Sequence, residues 1–178
     1  MRVIPITVFI EALYSVYNES QVNKGKLQME LKHYKRLTQQ AIGLIEGETD
    51  FIANLANISA LLNMELDNIN WVGFYLFKED ELVLGPFQGK PACIRITIGK
   101  GVCGTAFATE TVQRIDDVHQ FEGHIACDVE SNSEIVIPFY KNGKLAGVLD
   151  IDSPKIARFS EIDEKGLIDF MKEAEKRL

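Results

Sequence analysis

Residues Glu134–Ile151 read EIVIPFYKNGKLAGVLDI, and this stretch decides the fold. Two apolar, β-branched runs, Glu134 to Tyr140 and Leu145 to Ile151, flank Lys141-Asn142-Gly143-Lys144. The Asn-Gly pair supplies the positive φ angles of a tight two-residue turn, which predicts an antiparallel hairpin. Strand side chains alternate between faces, so Asp150 and Asp152 share one face. The same hairpin sets Glu134, at the start of the first strand, beside those two acids at the end of the second.

Working outward, WVGFYLF from Trp71 and ELVLGPF from Glu81 form a second hairpin around Lys78-Glu79-Asp80. Ile94 to Ile98 and Val112 to Ile115 read as two further strands. Upstream, Leu31, Tyr34, Leu37, Ala41 and Leu44 recur at helical spacing, and Gly47 marks a stop. A second helix follows Thr49 through Ile52, Leu55, Ile58 and Leu62, ending near Asn63. A closing helix is capped by Ser160. It carries Glu161 and Asp163 near its positive end, Lys172, Lys176 and Arg177 toward its negative end, and the stripe Leu167, Phe170, Ala174 and Leu178. The expected class is α+β: a central, mainly antiparallel sheet of about six strands, with helices gathered on one face and a loop-covered ligand pocket on the other.

The chain has 178 residues, a net charge of −7 and 46% hydrophobic residues, the balance of a globular domain with a real core. Lys and Arg occur only as scattered pairs, which argues against a nucleic-acid surface. The start, Met1-Arg2 followed by VIPITVFI, imitates a targeting segment. Glu11 interrupts it, and a bilayer span needs about 20 apolar residues. Residues 1–27 are read as an N-terminal extension of unknown role and 28–178 as the domain, with no membrane partner expected. Three cysteines, Cys93, Cys103 and Cys127, cannot all pair within one chain, so a reduced, cytoplasmic setting is expected.

Cys93, in PACIRI, reads from its apolar neighbours as core. Cys103 lies in the glycine-rich stretch GKGVCGTA and Cys127 in the irregular stretch after Gly123-His124-Ile125-Ala126, where a thiolate nucleophile is the alternative to structure. GKGVCGTA matches no phosphate-loop pattern, and its plainer reading is a tight turn into a short helix, Thr105 to Thr109. Cys103, His119, His124 and Cys127 make a zinc set on paper, although only His124 and Cys127 have the usual close spacing. A Cys-His hydrolase built on Cys127 with His124 or His119 stays open beside it. Glu134, Asp150 and Asp152 converge at the mouth of the sheet. Such crowding raises a carboxyl pKa and would also suit a substrate ammonium group, the plainer alternative being solvated strand ends. Trp71 and Tyr75 flank Gly73 on one face, a pair whose plainer reading is core, while the glycine between them leaves room for a flat or S-methyl group.

Asn70 to Leu76 (NWVGFYL), Leu84 to Ala92 (LGPFQGKPA), Gly99 to Ala106 (GKGVCGTA), Gly123 to Asp128 (GHIACD), Ser133 to Pro138 (SEIVIP) and Gly147 to Ser153 (GVLDIDS) together resemble the free methionine-(R)-sulfoxide reductases, single GAF domains. The resemblance covers about Leu31 to Leu178, and all three cysteines fall in its motifs. It implies that Cys127 is the nucleophile and becomes a sulfenic acid. It further implies that Cys93, against its reading as core, is the resolving thiol, with Cys103 as alternative or relay. Glu134 and Asp152 would activate the sulfoxide, Asp150 would position the substrate, and Asp116 is a fourth acid. Trp71 and Tyr75 would hold the S-methyl end, and the N–H groups of Ile125 and Ala126 the carboxylate. The implied partners are free methionine-(R)-sulfoxide and thioredoxin, with no metal or organic cofactor and a homodimer left open. The competing class is a GAF-type module that senses a small molecule or redox state without catalysis.

Overall fold

The computed structural model describes residues 25, 28–121, 123 and 130–178. Helix α1 covers 28–45. It is followed by α2 (Phe51–Glu65), β1 (Trp71–Lys78), β2 (Glu81–Gly89), β3 (Arg95–Thr97), α3 (Gly101–Thr109), β4 (Gln113–Ile115), β5 (Ser133–Lys141), β6 (Lys144–Ser153) and α4 (Glu161–Ala174). The strands form one six-stranded sheet in the order β3-β2-β1-β6-β5-β4, and every neighbouring pair is antiparallel. Asn142 and Gly143 adopt φ of 53° and 72°, the left-handed pair the β5–β6 turn requires.

Alternation along the central strands sorts side chains into two cores. Val72, Phe74 and Leu76 of β1, Ile135, Ile137 and Phe139 of β5, and Leu149 and Ile151 of β6 pack against α1, α2 and α4. The intervening residues Trp71, Tyr75, Val136 and Val148 face the other way, onto Val102, Cys103, Ala106 and Phe107 of α3. Three helices thus gather on one face as expected, and α3 crosses to the other. That helix begins four residues earlier than its predicted start at Thr105. Gly99 (φ 79°) and Gly101 (φ 63°) turn the chain directly into it, so Cys103 sits in a helical turn rather than a loop.

The stripe on α1 is displaced from its predicted members. Tyr34, Leu37, Ala41 and Ile45 are buried, while Leu31 and Leu44 are exposed. At 100° per residue, Ile45 lies only about 20° around the axis from Tyr34, whereas Leu44 lies about 80° to one side and Leu31 about 60° to the other. On α2 the cap is Asp50, whose side chain accepts from the Ala53 N–H, and Ile52 is exposed. The closing helix has the predicted Ser160 cap, completed as a capping box by Asp163. Tyr34 ties α1 to that same carboxylate by a 2.5 Å hydrogen bond. Among the described residues, no helix is long and apolar enough to cross a membrane.

Candidate active site

The register of β1, β6 and β5 places the predicted acids side by side. Glu134 pairs with Asp152 and Val136 with Asp150, while Asp152 pairs in turn with Trp71 and Asp150 with Gly73. Paired residues in adjacent strands point to the same face, so Glu134, Asp152 and Trp71 form one row and Val136, Asp150 and Gly73 the next. Glu134 and Asp150 are buried, at 5% and 6% exposure. Cys103 is brought over them from α3: its thiol donates toward Glu134 Oε1 at 3.9 Å, and one ligand atom from each of Cys103, Glu134 and Asp150 lies within 4.8 Å of the other two.

Burial dominates the electrostatics of this cluster. It pushes the Glu134 carboxyl well above its usual range, with Asp150 and Asp152 adding repulsion. It raises Asp150 to about 6, against the opposing hydrogen bonds of Cys103 and Glu134. It also pushes the Cys103 thiol up, reinforced by Asp150 and Glu134, and keeps the Tyr75 phenol neutral. Burial and mutual repulsion thus favour the protonated Glu134 carboxyl and the neutral Cys103 thiol over their charged forms. Asp150 Oδ1 has no hydrogen-bond partner among the described residues.

The aromatic wall differs from its predicted form. The gap at Gly73 is filled: a methyl there would stand 2.3 Å from Phe87 Cβ and 2.7 Å from the Trp71 ring. Trp71 stacks on Tyr75 with centroids 5.9 Å apart and on Phe87 at 5.4 Å. The small residue on β1 thus makes room for its large cross-strand partner and for the indole, not for open space. The polar ends of both aromatics hold the chain that carries Cys93. Trp71 Nε1 donates to the Lys90 carbonyl at 3.1 Å and the Tyr75 hydroxyl to the Cys93 carbonyl at 3.0 Å. Phe87 and the Lys90 carbonyl were missed by the sequence reading; a glycine facing a phenylalanine across a hairpin is the signal that could have found Phe87.

Cys93 is disulfide-bonded and half-buried against the edge of the α3-side core, so its reading as core holds for its packing and not for its chemistry, whereas Cys103 is a free, buried thiol. The predicted residues His124, Ile125, Ala126 and Cys127 lie outside the described residues. Asp116 does not join the acids. Its side chain is 63% exposed and paired with Arg114 at 3.7 Å, because alternation on β4 sends Ile115, the partner of Glu134, to the pocket face and Arg114 with Asp116 to the other. His119 is exposed, its Nε2 3.0 Å from Asn132 Oδ1, so the paper set of zinc ligands is not assembled among the described residues.

Residues 55–173 match the family model described as GAF domain. Among curated proteins, the chain is 57% identical over 145 residues to a protein named free methionine-R-sulfoxide reductase from Escherichia coli (strain K12), covering 82% of this chain and 88% of that one. It is 58% identical over 149 residues to protein YtsP of Bacillus subtilis (strain 168), covering 83% and 91%. Among solved structures, fRMsr of Staphylococcus aureus in complex with substrate superposes with a TM-score of 0.78 at 56% identity, covering 82% of this chain and 95% of that chain.

Proposed function

The chain belongs to the GAF-domain family and, within it, to the free methionine-R-sulfoxide reductases, and from that membership we propose that it reduces free L-methionine-(R)-sulfoxide to L-methionine with its own thiols. The observation that carries the reading is the buried acid wall, Glu134 and Asp150 beside a thiol, with Asp150 Oδ1 unpartnered. A buried acceptor left without a donor costs about 1–3 kcal/mol. The ammonium group of a free amino acid supplies that donor, and the need for it excludes methionine sulfoxide whose nitrogen is in a peptide bond.

In this reading the Cys127 thiolate attacks the sulfoxide sulfur while the acid wall, Glu134 with Asp152, delivers a proton to its oxygen. Methionine leaves and the oxygen remains on Cys127 as a sulfenic acid. The cysteine sulfur loses the two electrons that the sulfoxide sulfur gains. The Cys93 thiol then attacks the sulfenic sulfur, an S–S bond forms, the S–O bond breaks and water departs. A dithiol protein of the thioredoxin type returns two electrons by thiol–disulfide exchange. Asp150 takes the ammonium group, Trp71 and Tyr75 the S-methyl end, and the N–H groups of Ile125 and Ala126 the carboxylate. Support for Cys93 as resolving thiol is its engagement in a disulfide while Cys103 remains free. Cys103 then serves Glu134 as a hydrogen-bond donor. The functional unit is residues 28–178, working in a cytoplasmic setting.

The test is to incubate the fully reduced protein with racemic methionine sulfoxide, counting free thiols and released methionine. Loss of two thiols per chain with one methionine is expected, and the R isomer alone is consumed. No loss of thiol would overturn the reading in favour of a sensing module. Cys127→Ser abolishes turnover in a thioredoxin-coupled assay of NADPH oxidation; undiminished turnover would remove Cys127 from the nucleophile's role.

A further inference from the structure

We infer that Cys103, Glu134 and Asp150 form a binding site for a thiophilic divalent cation of the zinc type, and that its occupancy shuts the substrate out of the same pocket. The second half rests on the functional reading above; the first does not. One sulfur and two carboxylate oxygens, all on buried residues, lie within 4.8 Å of one another. Zinc binds thiolate at about 2.3 Å and carboxylate at about 2.0–2.2 Å, so ligand atoms around a tetrahedral ion stand about 3.3–3.8 Å apart. Closing the cluster onto an ion asks for shifts of roughly 1 Å at side-chain ends.

Two further features point to a cation. Asp150 is a member of this cluster, and although its carboxyl shares hydrogen bonds with Cys103 and Glu134, one of its oxygens, Oδ1, is buried with no partner among the described residues. The three ligands also come from regular elements, the first turn of α3 and the strands β5 and β6, which fixes their spacing without any loop rearrangement. A thiolate with two carboxylates more than balances a divalent charge, and three protein ligands leave a fourth position open to water. Binding is not a redox step: the protons held by Cys103 and Glu134 pass to solvent as the ion takes their place, and no sulfur is oxidised. The ion occupies the acids on which the ammonium and the sulfoxide oxygen depend, so metal and substrate exclude each other.

The experiment uses the full chain carrying Cys93→Ser and Cys127→Ser, which leaves Cys103 as its sole thiol and cannot turn over. Zinc is titrated calorimetrically, with cobalt(II) as an optical probe. One ion per chain is expected, with a near-ultraviolet sulfur-to-cobalt charge-transfer band that zinc abolishes. Adding Cys103→Ser removes the band, and adding Asp150→Asn weakens zinc roughly tenfold or more. Either addition folds as its parent by circular dichroism, and the two serve as independent checks. A chain that takes up no zinc overturns the inference, as does a band that survives Cys103→Ser. Free methionine sulfoxide is then added to the cobalt-loaded protein and, separately, to the metal-free protein. Displacement of the band supports mutual exclusion, whereas sulfoxide that binds the metal-free protein yet leaves the band intact overturns it. Sulfoxide that fails to bind even the metal-free protein counts against the functional reading, while the metal titration still decides the site.

Discussion

Gly73→Ala tests whether the aromatic wall is as tightly closed as the geometry requires. The added methyl would lie 2.3 Å from Phe87 Cβ, 2.7 Å from Trp71 Cη2 and 2.9 Å from the Phe87 Cα. Carbon atoms in contact settle at about 3.5–4.0 Å, so β2 must retreat from β1 by roughly 1 Å or the indole must leave its stack. Neither is a matter of swinging a flexible side chain aside, since one of the blocking atoms is backbone. Overpacking of this kind costs about 1–3 kcal/mol, and the upper half of that range is expected here. Trp71 is the only tryptophan in the chain and 3% exposed, so its emission reports the site directly. Urea unfolding followed by tryptophan fluorescence and by far-ultraviolet circular dichroism should show a lower midpoint at unchanged slope. The native emission maximum should move to the red, and the sulfoxide KM should rise. Gly43→Ala is the control: it lies in α1 with nothing within 4 Å of the new methyl and should stabilise by about 0.5–1 kcal/mol. A Gly73→Ala protein within roughly 0.5 kcal/mol of wild type, with its emission unmoved, would refute the claim that Phe87 and Trp71 fill the space over Gly73.

Three other outcomes are expected. Cys93→Ser should release one methionine per chain in a rapid burst and then stall with thioredoxin as reductant, measured by quenched-flow and NADPH oxidation; an unchanged steady state would transfer the resolving role to Cys103. Glu134→Gln keeps the shape of the acid but not its titratable proton, and should lower the single-turnover rate 10²-fold or so with substrate affinity little changed; a loss confined to KM would make Glu134 a binding group instead. On the helical side, burial raises the Asp163 carboxyl, but hydrogen bonds from Tyr34 and Ser160 and the Arg158 charge outweigh it and hold the pKa below its ordinary value. A carboxyl with a depressed folded-state pKa contributes stability that is present above its unfolded pKa of about 3.9 and lost as pH falls through the folded value. Asp163→Asn should therefore unfold at lower urea than wild type at pH 7, with the difference shrinking below about pH 4. A difference independent of pH would point to packing rather than charge.

The sheet was legible because its signals are local. Asn142-Gly143 sets a turn, period-two alternation sets the faces, and together they bring Glu134, Asp150 and Asp152 into line before any tertiary contact is considered. Asp116 departs from its expected place by the same logic: it directly follows the three-residue strand β4, where alternation decides whether an acid meets the pocket, and it falls with Arg114 on the other face. The displaced stripe on α1 has a similar origin, since Leu44 and Ile45 are both apolar and only the angle accumulated over eleven residues separates them. The seat of Cys103 was not legible at all. It depends on α3 crossing to the far face, a tertiary choice favoured by burying Val102, Ala106 and Phe107 against Trp71 and Val148.

The division of labour between strands and irregular chain follows from what each group has to do. A proton donor and an ammonium acceptor must hold their positions to a fraction of an ångström, because hydrogen-bond strength falls steeply with misalignment. In the proposed mechanism Glu134 and Asp150 have those tasks, and they stand on the adjacent strands β5 and β6, buried beneath α3. A resolving thiol has the opposite requirement, since its sulfur must form and break a bond in every cycle. Cys93, the resolving thiol of the proposed mechanism, stands outside regular structure, in the segment between β2 and β3, tethered through its carbonyl by Tyr75 and through that of Lys90 by Trp71. Those tethers grip the backbone and leave the sulfur to its chemistry. Loosening them should therefore slow disulfide formation more than sulfoxide reduction, and Tyr75→Phe, which keeps the ring and removes only the hydroxyl, isolates that effect. In rapid-quench experiments the methionine burst should keep its rate while loss of the second thiol lags behind it; a burst slowed in equal measure would mean that the Tyr75 hydroxyl serves the substrate rather than Cys93.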